Sequence, residues 1–270
     1  MLCERDCGAM KNEIRIMTAN IWGDYFGNPV EMREKDIEDT IRKYAPDVIG
    51  LQEITASWYS CDLLKNLGNE YEVVTGQSGN FTPLLYKKDT FDAVEVGFER
   101  YSETDDRSKG ITWALLKRNS DGKRVAVCNT HLWWMQRGDE DEKLRMKNAE
   151  QLLERVSILK EKYNAPVFAF GDFNSKVTGS AIKYLSENKF MPAYNYADKF
   201  TNISSYHNDP ILGDDGKYHG VKTENKITES IDYILSFGEN VHINNYVIVE
   251  DQKILDSSDH SPVYLDAELR

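Results

Sequence analysis

The sequence predicts an α/β fold in which mixed β-sheets are covered by helices, all within one domain. Two observations support this. β-rich runs occur both as a hairpin and as strands followed by helices, and the longest amphipathic stretch, Glu140 to Lys162, has helical spacing. Hairpins give antiparallel strand pairs and strand–helix units give parallel pairs, so the combination indicates mixed sheets. A chain of 270 residues is long enough to bury a full core.

The elements follow one another without a repeat, a linker or a low-complexity segment. Alternating apolar residues predict a first strand over 11–19, and near-helical spacing predicts a helix over 31–44 that Pro46 ends. The other predicted strands are 47–51, 71–75, 82–87, 91–98, 110–118, 124–130, 166–170, 230–236, 241–249 and 261–267, and the other predicted helices are 58–67, 140–162 and 178–187. Asp121-Gly122 predicts a hairpin between 110–118 and 124–130. The aperiodic residues 200–223 predict a long loop, a type of segment that often carries function.

Residues 1–11 are expected to form an N-terminal extension and residues 12–270 a single domain. No stretch approaches ~18 consecutive apolar residues, which argues against a transmembrane helix. Met1 to Met10 lacks the apolar core of a signal peptide. We therefore expect a cytoplasmic protein, and we expect it to be a monomer. The cysteines, at positions 3, 7, 61 and 128, lack the spacing of a zinc site and favour free thiols in a reducing compartment.

The charge balance is acidic. There are 33 basic and 45 acidic residues, which gives a net charge of −12. The basic residues occur in pairs at most and are interleaved with acids, whereas nonspecific binding to duplex DNA needs clustered Lys and Arg. A nucleic-acid partner is therefore possible but is not favoured by charge, and a local basic cleft stays open as an alternative.

Polar side chains stand at the ends of apolar strands, and this feature points to chemistry. They are Asn20, Gln52-Glu53, Asn129-Thr130-His131, Gly171-Asp172-Phe173-Asn174 and Ser258-Asp259-His260. Asp232 lies inside the apolar run 231–235, where an ionised side chain is costly unless it has a partner. Each residue alone is explained by a turn or a helix cap. Together they match metal-assisted phosphoester hydrolysis, because hard divalent cations prefer oxygen ligands and histidine suits a general base near neutral pH.

These motifs, in this order, resemble the endonuclease/exonuclease/phosphatase superfamily. The matching segments are Asn20-Ile21-Trp22, Leu51-Gln52-Glu53, Asn129-Thr130-His131-Leu132, Gly171-Asp172-Phe173-Asn174, Ile231-Asp232-Tyr233 and Ser258-Asp259-His260-Ser261-Pro262. The resemblance spans about residues 13–267. It implies a four-layered sandwich, with two mixed β-sheets face to face and helices on both outer sides, which agrees with the element pattern. The superfamily includes deoxyribonucleases, AP endonucleases, neutral sphingomyelinases, inositol polyphosphate 5-phosphatases and deadenylases.

The resemblance also implies a metal site and a base. Glu53 would be a Mg²⁺ ligand, with Asn20 and Asp259 completing or supporting the site, and Mn²⁺ is a possible substitute. His260 would be the general base that activates water, oriented by Asp232. Whether one or two metal ions bind stays open.

The remaining motif residues are implied to handle the phosphate. Asp172 and Asn174 would bind the scissile phosphate and position the nucleophile. His131 would assist the leaving group or hold the phosphate. The resemblance therefore implies a metal-dependent phosphodiesterase or phosphatase, and the choice between diester and monoester stays open.

Four features of the sequence bear on the substrate. The pair Trp133-Trp134 is either a packing residue plus a surface residue or a rim that stacks on a ring. A second rim element is suggested by Trp22, Tyr25 and Phe26, and Arg107-Ser108-Lys109-Gly110 is either a phosphate-facing cation or a solvated loop. His207 and His219 are expected at the surface rather than beside the site. We expect a phosphoester of a small molecule or lipid headgroup, with an endo- or exonuclease as the alternative.

Overall fold

The computed structural model of this protein describes residues 13–75 and 80–270. The expected N-terminal extension at 1–11, with Cys3 and Cys7, lies outside the described residues. The helices of the described ranges are too short or too polar to cross a lipid bilayer.

The described chain forms fifteen strands and six α-helices. The strands are β1 (Glu13–Asn20), β2 (Val48–Gln52), β3 (Tyr71–Val74), β4 (Leu84–Lys87), β5 (Phe91–Arg100), β6 (Gly110–Arg118), β7 (Arg124–His131), β8 (Val167–Asp172), β9 (Met191–Pro192), β10 (Ala197–Phe200), β11 (Ile211–Leu212), β12 (Tyr218–His219), β13 (Asp232–Ser236), β14 (Val241–Ile248) and β15 (Val263–Leu269). The α-helices are α1 (Glu34–Tyr44), α2 (Ala56–Ser60), α3 (Leu63–Leu67), α4 (Asp139–Tyr163), α5 (Ser180–Glu187) and α6 (Gln252–Leu255).

Two large mixed sheets form the inner layers. The seven-stranded sheet has the order β10-β14-β15-β1-β2-β4-β3, and the six-stranded sheet has the order β5-β6-β7-β8-β13-β9. Each combines parallel and antiparallel pairs: β1 is parallel to β2 and antiparallel to β15, while β7 is parallel to β8 and antiparallel to β6. The predicted mixture of hairpins and strand–helix units is confirmed.

Three apolar clusters define four layers. The central cluster packs the inner faces of the sheets together, with Ile16 and Leu265 from one sheet and Phe168 and Phe170 from the other. A second cluster packs α4 and α5 on the six-stranded sheet, and a third packs α1, α2, α3 and α6 on the seven-stranded sheet. The four-layered sandwich that the sequence implied is therefore the observed fold.

Most predicted elements are present, with shifted ends. The predicted helix 58–67 is divided into α2 and α3, because the backbone is extended at Cys61. The sequence did not predict the short strands β9 and β10, nor the small hairpin of β11 and β12 inside the predicted loop 200–223. These strands have only two to four residues, too few for an alternating pattern to stand out.

The strand ends that carry the motifs meet at one edge of the sandwich. In the parallel pairs, Asn20 lies opposite Gln52 and His131 lies opposite Asp172. The antiparallel strand β13 begins at the same edge, with Asp232 opposite Asp172. Because carboxyl ends of parallel strands and amino ends of their antiparallel neighbours coincide, sheet register alone brings distant motifs together.

Candidate active site

The edge of the sandwich holds a buried pair of His260 and Asp232. Nδ1 of His260 lies 2.8 Å from Oδ2 of Asp232, and the same oxygen accepts a hydrogen bond of 2.8 Å from the Ser205 hydroxyl. With Nδ1 engaged by a carboxylate, Nε2 is the nitrogen left for chemistry. It faces the site centre, 3.7 Å from Oδ2 of Asp259 and 3.9 Å from Oδ2 of Asp172.

The acidic surroundings of His260 set its charge. Burial would lower the pKa of the imidazole, but the carboxylates of Asp232 and Asp259 outweigh burial and raise the pKa well above its usual value. Buried charge of this kind is tolerated only with partners.

Asp172 and His131 lie beside this pair. Nε2 of His131 is 3.3 Å from Oδ2 of Asp172, and the backbone N–H of Asn174 donates to Oδ1 of Asp172 at 2.8 Å. Burial would raise the pKa of Asp172, but the neighbouring histidines and the Asn174 amide lower it below its usual value. Asp172 is therefore held as a carboxylate between two imidazoles.

Lys109 is the buried cation of this region. Its side chain is covered, with 5% of the residue exposed, and Nζ lies 2.8 Å from Nε2 and 3.1 Å from Nδ1 of His131. Burial lowers the pKa of Lys109, while Glu53 and Asp106 act in the opposite direction. Of the two interpretations of the 107–110 stretch, the structure supports a cation facing the site for Lys109.

Glu53 and Asn20 form the neighbouring group. Glu53 accepts a hydrogen bond of 2.7 Å from the backbone N–H of Gly23 and one of 3.2 Å from Nδ2 of Asn20. The same Asn20 nitrogen donates to Asp172 at 3.1 Å, and the side-chain oxygen Oδ1 of Asn20 accepts from the Trp22 N–H. Burial would raise the pKa of Glu53, but His131, Lys109 and the Gly23 amide lower it.

Three residues of this region have strained backbone conformations. Trp22, Glu53 and Asn174 have φ values of 56°, 63° and 48°, in the left-handed region that L side chains rarely adopt. Such residues cost of order 1–3 kcal/mol each, so they persist where surrounding contacts fix them. Gly171 also has a positive φ of 148°, and a Cβ there would meet the Thr130 carbonyl at 1.9 Å.

Asp259 supplies a carboxylate of which one oxygen faces His260 and the other has no protein partner among the described residues. Its Oδ1 is buried and has no hydrogen-bond partner among the described residues. Burial and the charge of Glu53 raise the pKa of Asp259 to about 7, against the effect of His260. A buried acceptor without a partner is costly, and a divalent cation that prefers oxygen ligands would satisfy it. The donor chemistry of Glu53 and Asp259 therefore fits such a cation.

A second group of ligand atoms is also compatible with a metal. One atom each of Asp172, Asp232 and His260 lies within 4.8 Å of the others, and all three residues are buried. In this group, however, Nδ1 of His260 already bonds Asp232, so the arrangement is that of an imidazole oriented by a carboxylate.

Two strand-end residues join the sheets instead of lining the site. Nε2 of Gln52 donates to Oδ1 of Asn129 at 2.6 Å, and Nδ2 of Asn129 donates to the carbonyls of Leu51 and Pro83, both at 2.8 Å. Polar residues at strand ends are therefore of two kinds, and position alone does not separate them.

Sequence reasoning did not single out Arg33, which connects two motifs. Its guanidinium is buried and donates to the carbonyls of Ile21, Trp22 and Ser257 at 2.7–2.9 Å. Arg33 thereby ties the loop after Asn20 to the segment before Ser258. The sequence gives little signal for it, because an Arg at a helix start is expected to be solvated.

The loop 201–223 contributes three consecutive residues to the site. Ser205 bonds Asp232, and Nε2 of His207 lies 2.9 Å from the hydroxyl of Ser261. The Tyr206 ring packs edge-on against the His260 imidazole, with centroids 5.1 Å apart. His207 is buried, unlike the surface position expected for it, while His219 is exposed as expected and pairs with Asp215. Hydrogen bonding to the 259–261 segment explains the burial of His207.

The aromatic residues that the sequence suggested as rim elements differ in exposure. Nε1 of Trp133 donates to Asp141 of α4 at 2.9 Å, whereas Trp134 is 47% exposed. Trp133 is therefore anchored to α4 and Trp134 is at the surface, where its ring could still stack on a ligand. Tyr25 and Phe26 are exposed, while Trp22 is buried against Arg33.

The chain belongs to the endonuclease/exonuclease/phosphatase family. The model of that family, described as "Endonuclease/Exonuclease/phosphatase family", matches residues 17–260, which include the motifs described above up to His260. The resemblance inferred from the motifs is thus confirmed, and so is the expected enzyme class, a hydrolase of phosphoester bonds.

A human protein is similar to part of this chain. Human tyrosyl-DNA phosphodiesterase 2 is 28% identical over 165 residues, which cover 59% of this chain and 41% of the human protein. The match thus spans less than half of that relative's length.

Solved structures share the fold. A family member from Bacteroides vulgatus superposes with a TM-score of 0.76 at 24% identity, covering 96% of this chain and 100% of the other. A mannosyl-6-phosphatase from Bacteroides thetaiotaomicron superposes with a TM-score of 0.72 at 20% identity, covering 94% and 99%. At these identities the likeness establishes the fold.

Proposed function

We propose that this protein is a Mg²⁺-dependent hydrolase of a small phosphoester, acting by base-assisted attack of water. The observation that carries the proposal is the His260–Asp232 pair, whose free Nε2 faces Asp172 and Asp259 next to Glu53. An oriented imidazole beside a cluster of carboxylates is what metal-assisted hydrolysis needs.

Glu53 and Asp259 would hold the cation, and Asn20 would support it. Asn20 fits the supporting role because its Nδ2 donates to Glu53 and to Asp172. The unpartnered Oδ1 of Asp259 fits the ligand role. When bound, a divalent cation supplies charge neutralisation at the phosphoryl oxygens. Mn²⁺ has similar ligand preferences and is expected to substitute.

The protein residues would divide the remaining work. Nε2 of His260 accepts the proton of the attacking water from the neutral form of the ring, in which Asp232 keeps the ring proton on Nδ1. A cation held at Asp259 would favour that neutral form, because it would offset carboxylate charge that raises the pKa of His260. Lys109 and His131 would bind the phosphate together, since the Lys109 ammonium lies against the His131 ring. Asp172 and Asn174 position the nucleophile and the scissile phosphate, the roles inferred from the motifs.

A small substrate is supported by the net charge and by exposed aromatic residues. The net charge of −12, without a cluster of basic residues in the sequence, does not supply the nonspecific attraction that a long duplex requires. Exposed aromatic residues, Phe26 and Trp134 among them, offer apolar contacts instead. A sugar phosphate, a nucleotide or a lipid headgroup meets these conditions.

A nuclease is the second candidate. The observation that favours it is the 28% identity to a human protein named for a tyrosyl-DNA phosphodiester. A nuclease of this family acting at a single end would need less charge than one that grips a long duplex.

The test is hydrolysis of bis-p-nitrophenyl phosphate, a sugar-phosphate panel, an oligonucleotide and a plasmid by one preparation at physiological salt. EDTA should abolish all hydrolysis, and Mg²⁺ or Mn²⁺ should restore it. Full activity in EDTA would overturn the metal-dependent mechanism. A larger kcat/KM for plasmid nicking than for the small esters, unchanged in Trp134→Ala, would establish the nuclease instead.

A further inference from the structure

Tyr206 is a half-exposed aromatic residue that the proposed reaction does not use. It is 41% exposed, and its ring stands edge-on to the His260 imidazole at 5.1 Å. The described residues give its hydroxyl no hydrogen-bond partner, and among the charges that act on it are those of Asp259 and Asp172. An aromatic ring therefore borders the reaction centre and faces solvent.

The backbone fixes the direction of this ring. The Ser261 N–H donates to the Ser205 carbonyl and the His207 N–H donates to the Asp259 carbonyl, both at 2.7 Å. Tyr206 and His260 are therefore an antiparallel pair flanked by hydrogen bonds, and in such a pair the two side chains lie close together on the same face. Since His260 points into the site, the Tyr206 ring lies at the site's edge.

The segment that carries Tyr206 is anchored on both sides. The side chains of Ser205 and His207 are buried and bond Asp232 and Ser261. Tyr206, between them, is the residue left to meet a ligand. Because Ser205 and His207 already hold this segment in place, stacking of a ligand ring on Tyr206 would cost the protein little conformational entropy.

The geometry of displacement decides which part of the substrate can reach Tyr206. In an in-line displacement, the attacking water and the leaving oxygen lie on opposite sides of phosphorus. His260 accepts the water's proton, so the water lies on the His260 side and the leaving group departs from the other side. A group in contact with Tyr206 is therefore not the leaving group.

We propose that Tyr206 binds a planar ring on the ester group that stays attached to phosphorus, so that the substrate is a phosphodiester whose retained alcohol carries an aromatic ring. This inference rests on the proposed function. The water oxygen forms the new P–O bond and its proton passes to Nε2 of His260. The bond to the leaving oxygen breaks with its electron pair on that oxygen, and the product is a monoester that keeps the ring.

The experiment compares two diesters with the same leaving group, phenyl p-nitrophenyl phosphate and methyl p-nitrophenyl phosphate. The measured quantity is the ratio of their kcat/KM values in each protein, which removes the intrinsic difference between the esters. Tyr206→Ala should lower the phenyl-to-methyl ratio by about three- to tenfold, the range expected for an aromatic pair. Tyr206→Phe should keep the ratio, because the ring and not the hydroxyl makes the contact.

Two further measurements separate binding from positioning. Phenyl phosphate should inhibit the wild type more strongly than methyl phosphate does, and Tyr206→Ala should reduce that difference. Tyr196→Ala, which removes an exposed tyrosine of the 193–196 turn, is the matched control and should leave both ratios unchanged.

Each other outcome overturns the inference. Equal losses on both diesters in Tyr206→Ala would mean that Tyr206 only supports His260. An unchanged phenyl-to-methyl ratio in Tyr206→Ala would contradict the ring contact, but it would not contradict the proposed function. Hydrolysis of p-nitrophenyl phosphate but of neither diester would show a monoesterase, again with the proposed hydrolase intact. Absence of all hydrolysis with Mg²⁺ and with Mn²⁺ would remove both proposals.

Discussion

The two sides of the site are built in different ways. On one side, His131, Asp172 and Asp232 lie at the ends of adjacent strands, and the register of the six-stranded sheet sets their positions. On the other side, the loop 201–223 reaches the site with only a short extended segment, held by hydrogen bonds to residues 259–261. Sheet register is shared by any sequence of this fold, whereas a loop segment is free to vary. We infer that the strand ends determine the reaction and that the loop determines the substrate.

The largest expected effect tests the strand-end side. His260→Ala removes the proposed base and should lower kcat by roughly 10²–10⁴-fold for every phosphoester, since this is what general-base catalysis contributes. Asp232→Asn should act in the same direction, because an amide no longer orients Nδ1 as a carboxylate does. The measurement is kcat on both p-nitrophenyl diesters, with His219→Ala as the control because His219 is exposed on the loop hairpin. Retention of more than a tenth of wild-type kcat would contradict the assignment.

Glu53→Gln tests the metal site without relying on catalysis. The variant should weaken Mn²⁺ binding by at least about tenfold, a loss that even groups outside the metal's own ligands can cause. The measurement is Mn²⁺ titration followed by electron paramagnetic resonance, with Glu72→Gln, an exposed substitution on β3, as control. Unchanged Mn²⁺ affinity would remove Glu53 from the metal site. The thermal midpoint of the metal-free variant should stay within a few degrees of the wild type.

Lys109→Met should separate function from stability. Loss of a charge-assisted contact to the phosphate, ~1.5–3 kcal/mol, corresponds to a fall in kcat/KM of roughly 10- to 100-fold. The thermal midpoint should change by only a few degrees, because the relief of burying an ammonium is opposed by the loss of its attraction to Glu53 and Asp106. Lys117→Met, an exposed substitution on the neighbouring strand, is the control. An unchanged kcat/KM together with a lower midpoint would make Lys109 a structural residue.

The difference between the two sides also explains what the sequence can predict. Asp172 and His260 were recognisable because each ends or precedes an apolar strand, and strand order then places them together. Ser205 and His207 stand in an aperiodic segment, where no spacing indicates which side chains turn inward. The role of Arg33 could not be predicted for a related reason: its hydrogen-bond partners are backbone carbonyls, and no side-chain motif in the sequence indicates them.

Lys109 is an intermediate case. The sequence stretch 107–110 suggested a cation facing the phosphate, but it could not say which of its two cations is buried. Burial depends on the pairing of Gly110 with His131 at the start of β6, which places the preceding residue beside the imidazole. The register of β6 against β7, which the sequence does not determine, therefore identifies Lys109 as the buried cation.

The smallest expected effect lies at the point where the two sides meet. Ser205 belongs to the loop, but its hydroxyl donates to Oδ2 of Asp232 at 2.8 Å, so it should behave as part of the strand-end side. Ser205→Ala should lower kcat by about fivefold, the equivalent of one hydrogen bond of ~1 kcal/mol, because Asp232 keeps its bond to His260. The phenyl-to-methyl ratio of the two diesters should stay at the wild-type value, in contrast to Tyr206→Ala, the next residue along. Ser120→Ala, in the exposed turn of the β6–β7 hairpin, should change neither quantity. A fall of the ratio in Ser205→Ala would show that the hydroxyl acts by placing the Tyr206 ring, and the division of the site into a reaction side and a substrate side would then fail at this residue.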